Sequence, residues 1–305
     1  MSFSEDVRNE LAAIAPAREC DRLAELSALF HCAGRWHMQA GEVSLHLDLA
    51  SSAVARRAFS LLRSFDVDSE IRTYRRRSFD RATRYQLHVA GVPRALQVLR
   101  DAGVVNAQLA PLERPPKRVV GRSCCRAAYL RGALLAAGSV SSSPSSHLEI
   151  RTATRAGAEV IAQAGGQEEV DLRVLERRDH ALAYAKGVDR IAGVLAAAGA
   201  NDAALALEER AVVAATKSRA NRLANADHAN LVRTGRAAHN QLAAVRRLAR
   251  DRRLVELSPA LLEVAELRLA HPSLSLRELG LKCRPPASKA AVHRRVQKLI
   301  RLAEL

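Results

Sequence analysis

The sequence predicts an α+β chain in which one αββαββα unit occurs twice and an all-α domain ending in a helix-turn-helix follows. Three observations carry this expectation. First, "GVPRALQVLRDAG" (Gly91–Gly103) and "GVDRIAGVLAAAG" (Gly187–Gly199) are identical at seven of thirteen positions at an offset of 96, and "LSALFHCAG" (Leu26–Gly34) pairs with "LRGALLAAG" (Leu130–Gly138) at an offset of 104. Such self-similarity marks a duplicated structural unit. Second, the segments between these paired helices alternate apolar and polar residues with a period of two, the signature of half-buried strands. Third, from about Ala203 the period changes to three and four, and the last stretch reads as short helix, tight turn and basic helix.

Taken in order, "MSFSEDVRNELAAIAPAREC" reads as a short amphipathic helix with Ser4 as N-cap and Glu5 and Asp6 in its first turn. "LSALFHCAG" is the first small-residue helix. "EVSLHLDLA" then places Val43, Leu45, Leu47 and Leu49 on one strand face. A helix "SSAVARRAFSLLRSF", strands "SEIRTYRRR" and "TRYQLHVA", and the Gly91–Gly103 helix complete the first half. "LAPLERPPKR" is a proline-rich linker. The second half repeats the order with "HLEIRT", "ATRAGAEVIAQAG", "EVDLRVLE", "ALAYAK" and the Gly187–Gly199 helix. Each of the two repeated terminal helices closes on a glycine past its last turn. Gly132, Ala133, Ala136 and Ala137 in one half, with Ala28, Cys32 and Ala33 in the other, predict a close helix–helix contact on a pseudo-twofold axis, with a four-stranded sheet on each side. The expected divisions are an N-terminal helix (1–20), a first repeat (21–110), a linker (111–123), a second repeat (124–202), a connecting helix (203–226) and the helix-turn-helix domain (227–305).

In the last third, Asp227 is expected to cap a helix beginning near His228. Asn221, Asn225 and Asn230 either cap and bridge helices or lie on ordinary polar surface. Ser258 and Pro259 open the next helix, which His271-Pro272 ends. Ser275 with Glu278 forms a capping box for "LRELGLK". After the rigid "CRPPA" turn, Ser288 caps a final helix with an apolar stripe of Val292, Val296, Leu299 and Ile300. From His271 to Leu305 eight Lys and Arg stand against two acidic residues. A helix of this kind sets its N-terminal residues in the major groove of DNA, which places Ser288, Lys289, Ala290, His293 and Arg294 at base edges and lets Arg295, Lys298 and Arg301 reach phosphates or further bases. The bland alternative is a basic surface helix in a small bundle.

Composition sets the frame for these assignments. The 305 residues suffice for two or three domains, and 48% apolar residues with only 3% aromatics require a core of Leu, Val, Ile and Ala. The formal charge of +16 calls for a polyanionic partner, nucleic acid or an anionic surface. No apolar run is long enough to span a bilayer, and the N-terminus lacks the basic and apolar regions of a signal peptide, so a cytoplasmic, nucleoid-associated chain with no membrane partner is expected. Five cysteines without a C-x-x-C pair and scattered histidines suggest neither a disulfide framework nor a metal site, and no cofactor is expected. A second basic stretch, "IRTYRRRSFDRATR", sets Arg72 and Arg76 on one strand face and Arg75 and Arg77 on the other. These residues either track phosphates or form a charged edge that discourages strand association.

The duplicated helices and sheets resemble the LAGLIDADG homing-endonuclease fold. "LRGALLAAG" matches its motif at Leu130, Gly132, Leu134, Ala136 and Gly138, and "LSALFHCAG" matches at Leu26 and Gly34. That resemblance implies a saddle of two sheets over duplex DNA and a catalytic acid before each motif's final glycine. Here those positions are Ala33 and Ala137, and His31 and Leu135 two residues earlier are not acidic either. A methyl cannot hold the magnesium that phosphodiester cleavage needs, so no enzyme activity is expected. Together with "CCRAAYLRGALLAAGSV", "HLEI", "NRLANADHANL" and "LRELGLKCRPPASKAAVHRRVQKL", the whole chain resembles the WhiA family. This implies a sequence-specific DNA-binding regulator of sporulation and cell division that contacts double-stranded DNA through its C-terminal domain and has a WhiB-type iron–sulfur protein as partner. The internal pseudo-dimer already supplies a twofold scaffold, so a monomer suffices. The competing functions are a chromosome-organising or RNA-binding protein of low sequence preference, which fits the charge equally well, and an active nuclease, which Ala33 and Ala137 oppose.

Overall fold

The duplication is explicit in a computed structural model, which describes residues 2–39, 42–75, 83–142 and 146–304. The chain divides into two compact units, Met1–Ala214 and Ala215–Leu305. In the first unit, α1 (Phe3–Ala13) precedes two copies of the same order. The first is α2 (Glu19–Ala33), β1 (Gly34–Gln39), β2 (Glu42–Leu49), α3 (Ser52–Arg63), β3 (Glu70–Arg75), β4 (Thr83–Ala90) and α4 (Pro93–Asp101). After the short α5 (Lys117–Val120), the second is α6 (Ser123–Ala137), β5 (Gly138–Ser141), β6 (His147–Thr152), α7 (Arg155–Gly166), β7 (Arg173–Glu176), β8 (Ala181–Lys186) and α8 (Val188–Ala198). Both sheets are antiparallel, with orders β1-β2-β4-β3 and β5-β6-β8-β7.

The alternating runs decide which sheet face is buried. Leu45, Leu47, Leu49, Leu87 and Val89 of the first sheet, and Leu148, Ile150, Ala183 and Ala185 of the second, are fully or nearly fully buried against the helices. Helices α2 and α6 are buried along Ala24–Phe30 and Ala128–Leu135, enclosed by their domain and mostly apolar there. They run in the same direction, since their starts meet at one end and Ala33 and Ala137 meet at the other. Gly132 sets their separation: a Cβ there would lie 2.4 Å from the Glu25 carbonyl oxygen and 2.9 Å from the Ala28 Cβ. The predicted small-residue contact is therefore present, with Gly132 at its tightest point. The glycines that close α4 and α8 are left-handed, Gly103 at φ +67° and Gly199 at φ +100°, a conformation that favours glycine at a helix end.

One charged cluster lies inside this interface. Glu25 is fully buried on α2 and accepts two bonds from Arg57 of α3, Nε to Oε1 at 2.7 Å and Nη2 to Oε2 at 3.1 Å. Arg131 of α6 donates from Nε to the same Oε2 at 2.8 Å. Arg131 also reaches the Ala198 carbonyl at the end of α8 at 3.4 Å. A carboxylate between two guanidiniums thus ties α2, α3, α6 and α8 together.

Two expectations about helix starts require correction. The hydroxyl of Ser2, not Ser4, caps α1 by accepting from the Glu5 N–H. Ser4 instead accepts from the Val140 N–H and donates to the Val140 carbonyl, pinning α1 to β5. Asp227 starts no helix. It lies in the interior of α9 (Asn201–Arg250), a 50-residue helix that runs through the asparagine-rich stretch. Asn and Asp cost only a few tenths of a kcal/mol each in a helix interior, about 0.7 at most. The Ala, Leu and Arg on either side carry the helix across them, and Val212–Ala237 is exposed throughout.

The second unit packs the end of α9, a 3-10 turn (Arg253–Glu256), α10 (Pro259–Ala270), α11 (Leu276–Lys282) and α12 (Lys289–Glu304) around Val245, Leu248, Val264, Leu279, Val292, Val296 and Leu299. Both bonds of the Ser275–Glu278 capping box form. Arg268 of α10, 2% exposed, donates to the Leu274 carbonyl at 2.7 Å and the Pro272 carbonyl at 3.3 Å, fixing the loop into α11.

Candidate nucleic-acid interface

In the second unit the candidate surface is the outer side of α12. Ser288 accepts from the Ala291 N–H at 3.2 Å, so the helix starts where the sequence places it. Val292, Val296 and Leu299 are buried and Ile300 is half-buried, which turns the remaining positions outward. Ser288, Lys289, Ala290, His293, Arg294, Lys298 and Arg301 are all exposed. Their spacing of three and four residues sets them along one side of the helix. Gln297 stands exposed one turn beyond His293 and belongs to the same surface. Charge does not single it out in the sequence, although an amide can also read base edges. Arg295 is placed differently from its neighbours. It is half-buried, with its guanidinium 4.0 Å from Glu263 of α10.

The preceding turn is held from both sides. The Ala287 N–H donates to the Gly280 carbonyl at 2.9 Å, and the Arg284 N–H donates to Glu263. Helix α11, turn and α12 are therefore one packed element, which is what aiming a row of side chains at a groove requires.

In the first unit the open face of the first sheet carries Arg35, His37, His46, Asp48, Arg84, Gln86, His88, Arg72 and Tyr74, as the strand register dictates. Arg72 is exposed but engaged by Glu70 at 2.7 Å, and this guanidinium holds the Glu70 carboxyl below its ordinary value. Arg75 is exposed at the end of β3 on the other face, whereas Arg76 and Arg77 lie outside the described residues. His88 Nδ1 lies 3.0 Å from His46 Nε2, and the His37 ring lies tilted against His46 with centroids 4.4 Å apart. The open face of the second sheet is mixed in sign, with His147, Glu149, Arg151, Tyr184, Lys186 and Arg173.

At the C-terminal ends of α2 and α6, the methyls of Ala33 and Ala137 line one cavity of about 560 Å³ with His31, Arg35, Asp48, Arg84, Arg151, Asp179 and His180. Two carboxylates reach it from outside the motif helices. Asp48 accepts from Arg35 at 3.0 Å and Gln86 at 3.3 Å, and Asp179 accepts from His180 at 2.6 Å and Arg151 at 3.4 Å. Both are engaged by cationic or hydrogen-bonding side chains, and the cavity has a cationic excess suited to phosphate. No sequence spacing links these two residues to the motif, since one sits in a strand and the other in a β-turn.

Burial lowers the basicity of His31, although its Nδ1 contact with the Ser27 carbonyl at 2.8 Å works in the opposite sense. His88 is lowered by desolvation and by the neighbouring His46 and Arg72. A lowered imidazole means that the unfolded chain takes up protons first as pH falls. Stability present above about pH 6.5 is then lost as pH drops toward the folded values. The urea midpoint of the first unit is expected to be lower at about pH 5.5 than at about pH 7.5, and His31→Gln should narrow the difference. An identical midpoint at both pH values would contradict this.

A duplicated α+β scaffold followed by a helix-turn-helix with an exposed basic helix defines a LAGLIDADG-like fold that carries a helix-turn-helix domain. Family models for the WhiA N-terminal LAGLIDADG-like domain, the WhiA LAGLIDADG-like domain and the WhiA C-terminal HTH domain match residues 19–105, 126–217 and 220–303. The chain belongs to the WhiA family. It is 35% identical over 307 residues to the "Probable cell division protein WhiA" of Heliobacterium modesticaldum, covering 100% of this chain and 96% of that one. The protein of the same name from Symbiobacterium thermophilum is 35% identical over 309 residues, covering 100% and 98%. Among solved structures, full-length DUF199/WhiA from Thermatoga maritima superposes with a TM-score of 0.58 at 20% identity, covering 100% of this chain and 98% of that one. An N-terminal LAGLIDADG domain of DUF199/WhiA superposes with a TM-score of 0.52 at 17% identity over 65% of this chain and 90% of its own. Among the described residues no helix is long and apolar enough to cross a membrane.

Proposed function

We propose that the chain is a sequence-specific DNA-binding transcription regulator whose α12 reads the major groove and whose LAGLIDADG-like portion no longer cuts DNA. The observation that carries this reading is the exposed row Lys289, Ala290, His293, Arg294, Lys298 and Arg301 on a helix fixed by its cap and its buried stripe. Arg294 and His293 face bases, Lys298 and Arg301 phosphates. Arg72 and Arg75 supply secondary phosphate contacts. The family resemblance adds sporulation and cell-division genes as targets, a WhiB-type iron–sulfur protein as partner, and a place on the nucleoid in the cytoplasm.

Arg294→Ala is expected to weaken binding to the preferred sequence by about 1–3 kcal/mol, roughly tenfold to a hundredfold. Random duplex should lose much less. Competition binding at fixed salt separates the two, and equal losses would remove Arg294 from base reading. For the scaffold, no magnesium-dependent cleavage of supercoiled or linear duplex is expected, because the Ala33 and Ala137 side chains offer no oxygen ligand and the carboxylates of Asp48 and Asp179 in the same cavity are engaged by Arg35, Gln86, His180 and Arg151. Cleavage that disappears on chelation and reappears with magnesium would overturn the loss of nuclease activity.

A further inference from the structure

Three of the five cysteines converge at the end of the first unit opposite the Ala33 and Ala137 cavity. Cys20 and Asp21 stand in the first turn of α2, and Cys124 and Cys125 in the first turn of α6. The two pairs are related by the same offset of 104 that relates Leu26 to Leu130 and Gly34 to Gly138, so the cluster lies on the pseudo-twofold axis. One ligand atom from each of the four residues lies within 4.8 Å of every other. Cys125 is buried and the other three are half-buried.

We propose that Cys20, Asp21, Cys124 and Cys125 form a four-coordinate site for a single zinc ion that staples the two halves of the scaffold together. The separation within each adjacent pair is that of a mononuclear tetrahedral centre, and the pairs face each other within 4.8 Å. With sulfur about 2.3 Å and carboxylate oxygen about 2.0 Å from zinc, a tetrahedron puts two sulfurs ~3.8 Å apart and a sulfur and an oxygen ~3.5 Å apart. The Cys124 and Cys125 sulfurs are separated by 3.8 Å, and the Cys20 sulfur and Asp21 Oδ1 by 3.5 Å. An iron–sulfur cluster interposes several irons and sulfides between its cysteines and needs a wider cage. Three thiolates and one carboxylate suit zinc rather than magnesium or calcium, which prefer oxygen ligands only.

Burial pushes the metal-free Cys125 thiol up to about 12, and local positive potential offsets part of that cost. The first-turn N–H groups of both α2 and α6 lie beside the ligand set, and helix N-termini stabilise thiolates. The Arg18 guanidinium lies against Cys124 and offsets part of the net negative charge of a Cys3Asp zinc centre. Four protein donors leave no open position, so the role is structural. Sequence spacing conceals the site because its ligands come as two adjacent pairs, one from each repeat, instead of the C-x-x-C spacing of a ribbon.

The test uses the full-length chain under reducing conditions. Elemental analysis of protein from zinc-supplemented cells is expected to give about one zinc per chain. Titrating cobalt(II) into the metal-stripped protein should give the visible bands of a tetrahedral thiolate centre, saturating at about one equivalent and erased by zinc. Cys20→Ser and Cys124→Ser should each weaken uptake by about tenfold or more, Asp21→Asn should shift the cobalt spectrum, and Cys283→Ser in the other unit should change neither. Folded wild-type protein that takes up less than about a tenth of an equivalent of either metal would overturn the proposal. So would a Cys20→Ser/Cys124→Ser double variant with an unaltered cobalt spectrum. The wild-type titration decides the matter even where a variant misfolds, because it needs no substitution.

Discussion

Glu25→Ala is expected to destabilise the first unit by about 3–5 kcal/mol, the cost of removing one partner from a buried charged cluster. In a domain of this size that corresponds to a fall in Tm of roughly 6–20 °C. The carboxylate is fully buried, and both guanidiniums that it holds are nearly so. Without it, two cations remain side by side in the interface of α2, α3 and α6 with no counter-charge. Neither can swing to water without opening the packing around Leu26, Leu29 and Leu130.

The size of that loss does not measure what the cluster contributes. Desolvating three ions offsets much of their attraction, so a fully apolar replacement of similar volume costs far less than a broken one. Glu25→Leu combined with Arg57→Met and Arg131→Met is accordingly expected to recover most of the stability lost in Glu25→Ala. Thermal denaturation of the three proteins decides this. A triple variant as unstable as the single one would show that the ion cluster itself, rather than the absence of an unpaired charge, holds the helices.

Glu25, Arg57 and Arg131 also show where sequence reading stops. Strands β2 and β6 were legible because alternation at Val43–Leu49 and at His147–Thr152 is a local signal, whereas β1 and β5, which run straight on from α2 and α6, carry no such run; Gly103 and Gly199 were legible because glycine favours the left-handed turn past a helix end. The repeat itself made the small-residue interface legible. Nothing local pairs Glu25 with residues 32 and 106 positions away. The same holds for Cys20 with Cys124, although the repeat offset relates them. Ser4 and Asp227 mislead for another reason: each has the right chemistry for a cap, but a cap exists only where the helix ends. Ser2 lies closer to the start of α1, and the Ala-rich flanks of Asp227 keep α9 continuous. For α12, capping and apolar stripe together fixed the outward row, yet charge alone could not separate Arg295, which turns to Glu263, from exposed Arg294.

Gly280→Ala is expected to lower DNA binding of every kind, because it displaces the helix rather than a contact. Helix propensity alone predicts the opposite, since alanine within α11 is favoured over glycine by about 1 kcal/mol. The close approach decides the sign. A Cβ at Gly280 would sit 2.3 Å from the Ala287 carbonyl oxygen and 3.3 Å from the Val292 Cγ2. The first neighbour is backbone, held in place by the Ala287 N–H bond to the Gly280 carbonyl, so it cannot rotate away as a side chain would. Overpacking of this kind costs about 1–3 kcal/mol, and against fixed backbone the upper part of that range applies, leaving a net loss of about 2 kcal/mol. The turn must open and carry α12 with it. Hydrogen exchange in α11 and α12 should therefore rise, and affinity for the preferred sequence and for random duplex should fall together. Arg294→Ala gives the opposite pattern, with exchange unchanged and only preferred-sequence binding reduced. The pair of variants thus separates a residue that positions the reading helix from one that reads. A Gly280→Ala protein with wild-type protection and wild-type affinity would mean that the turn has room the geometry denies.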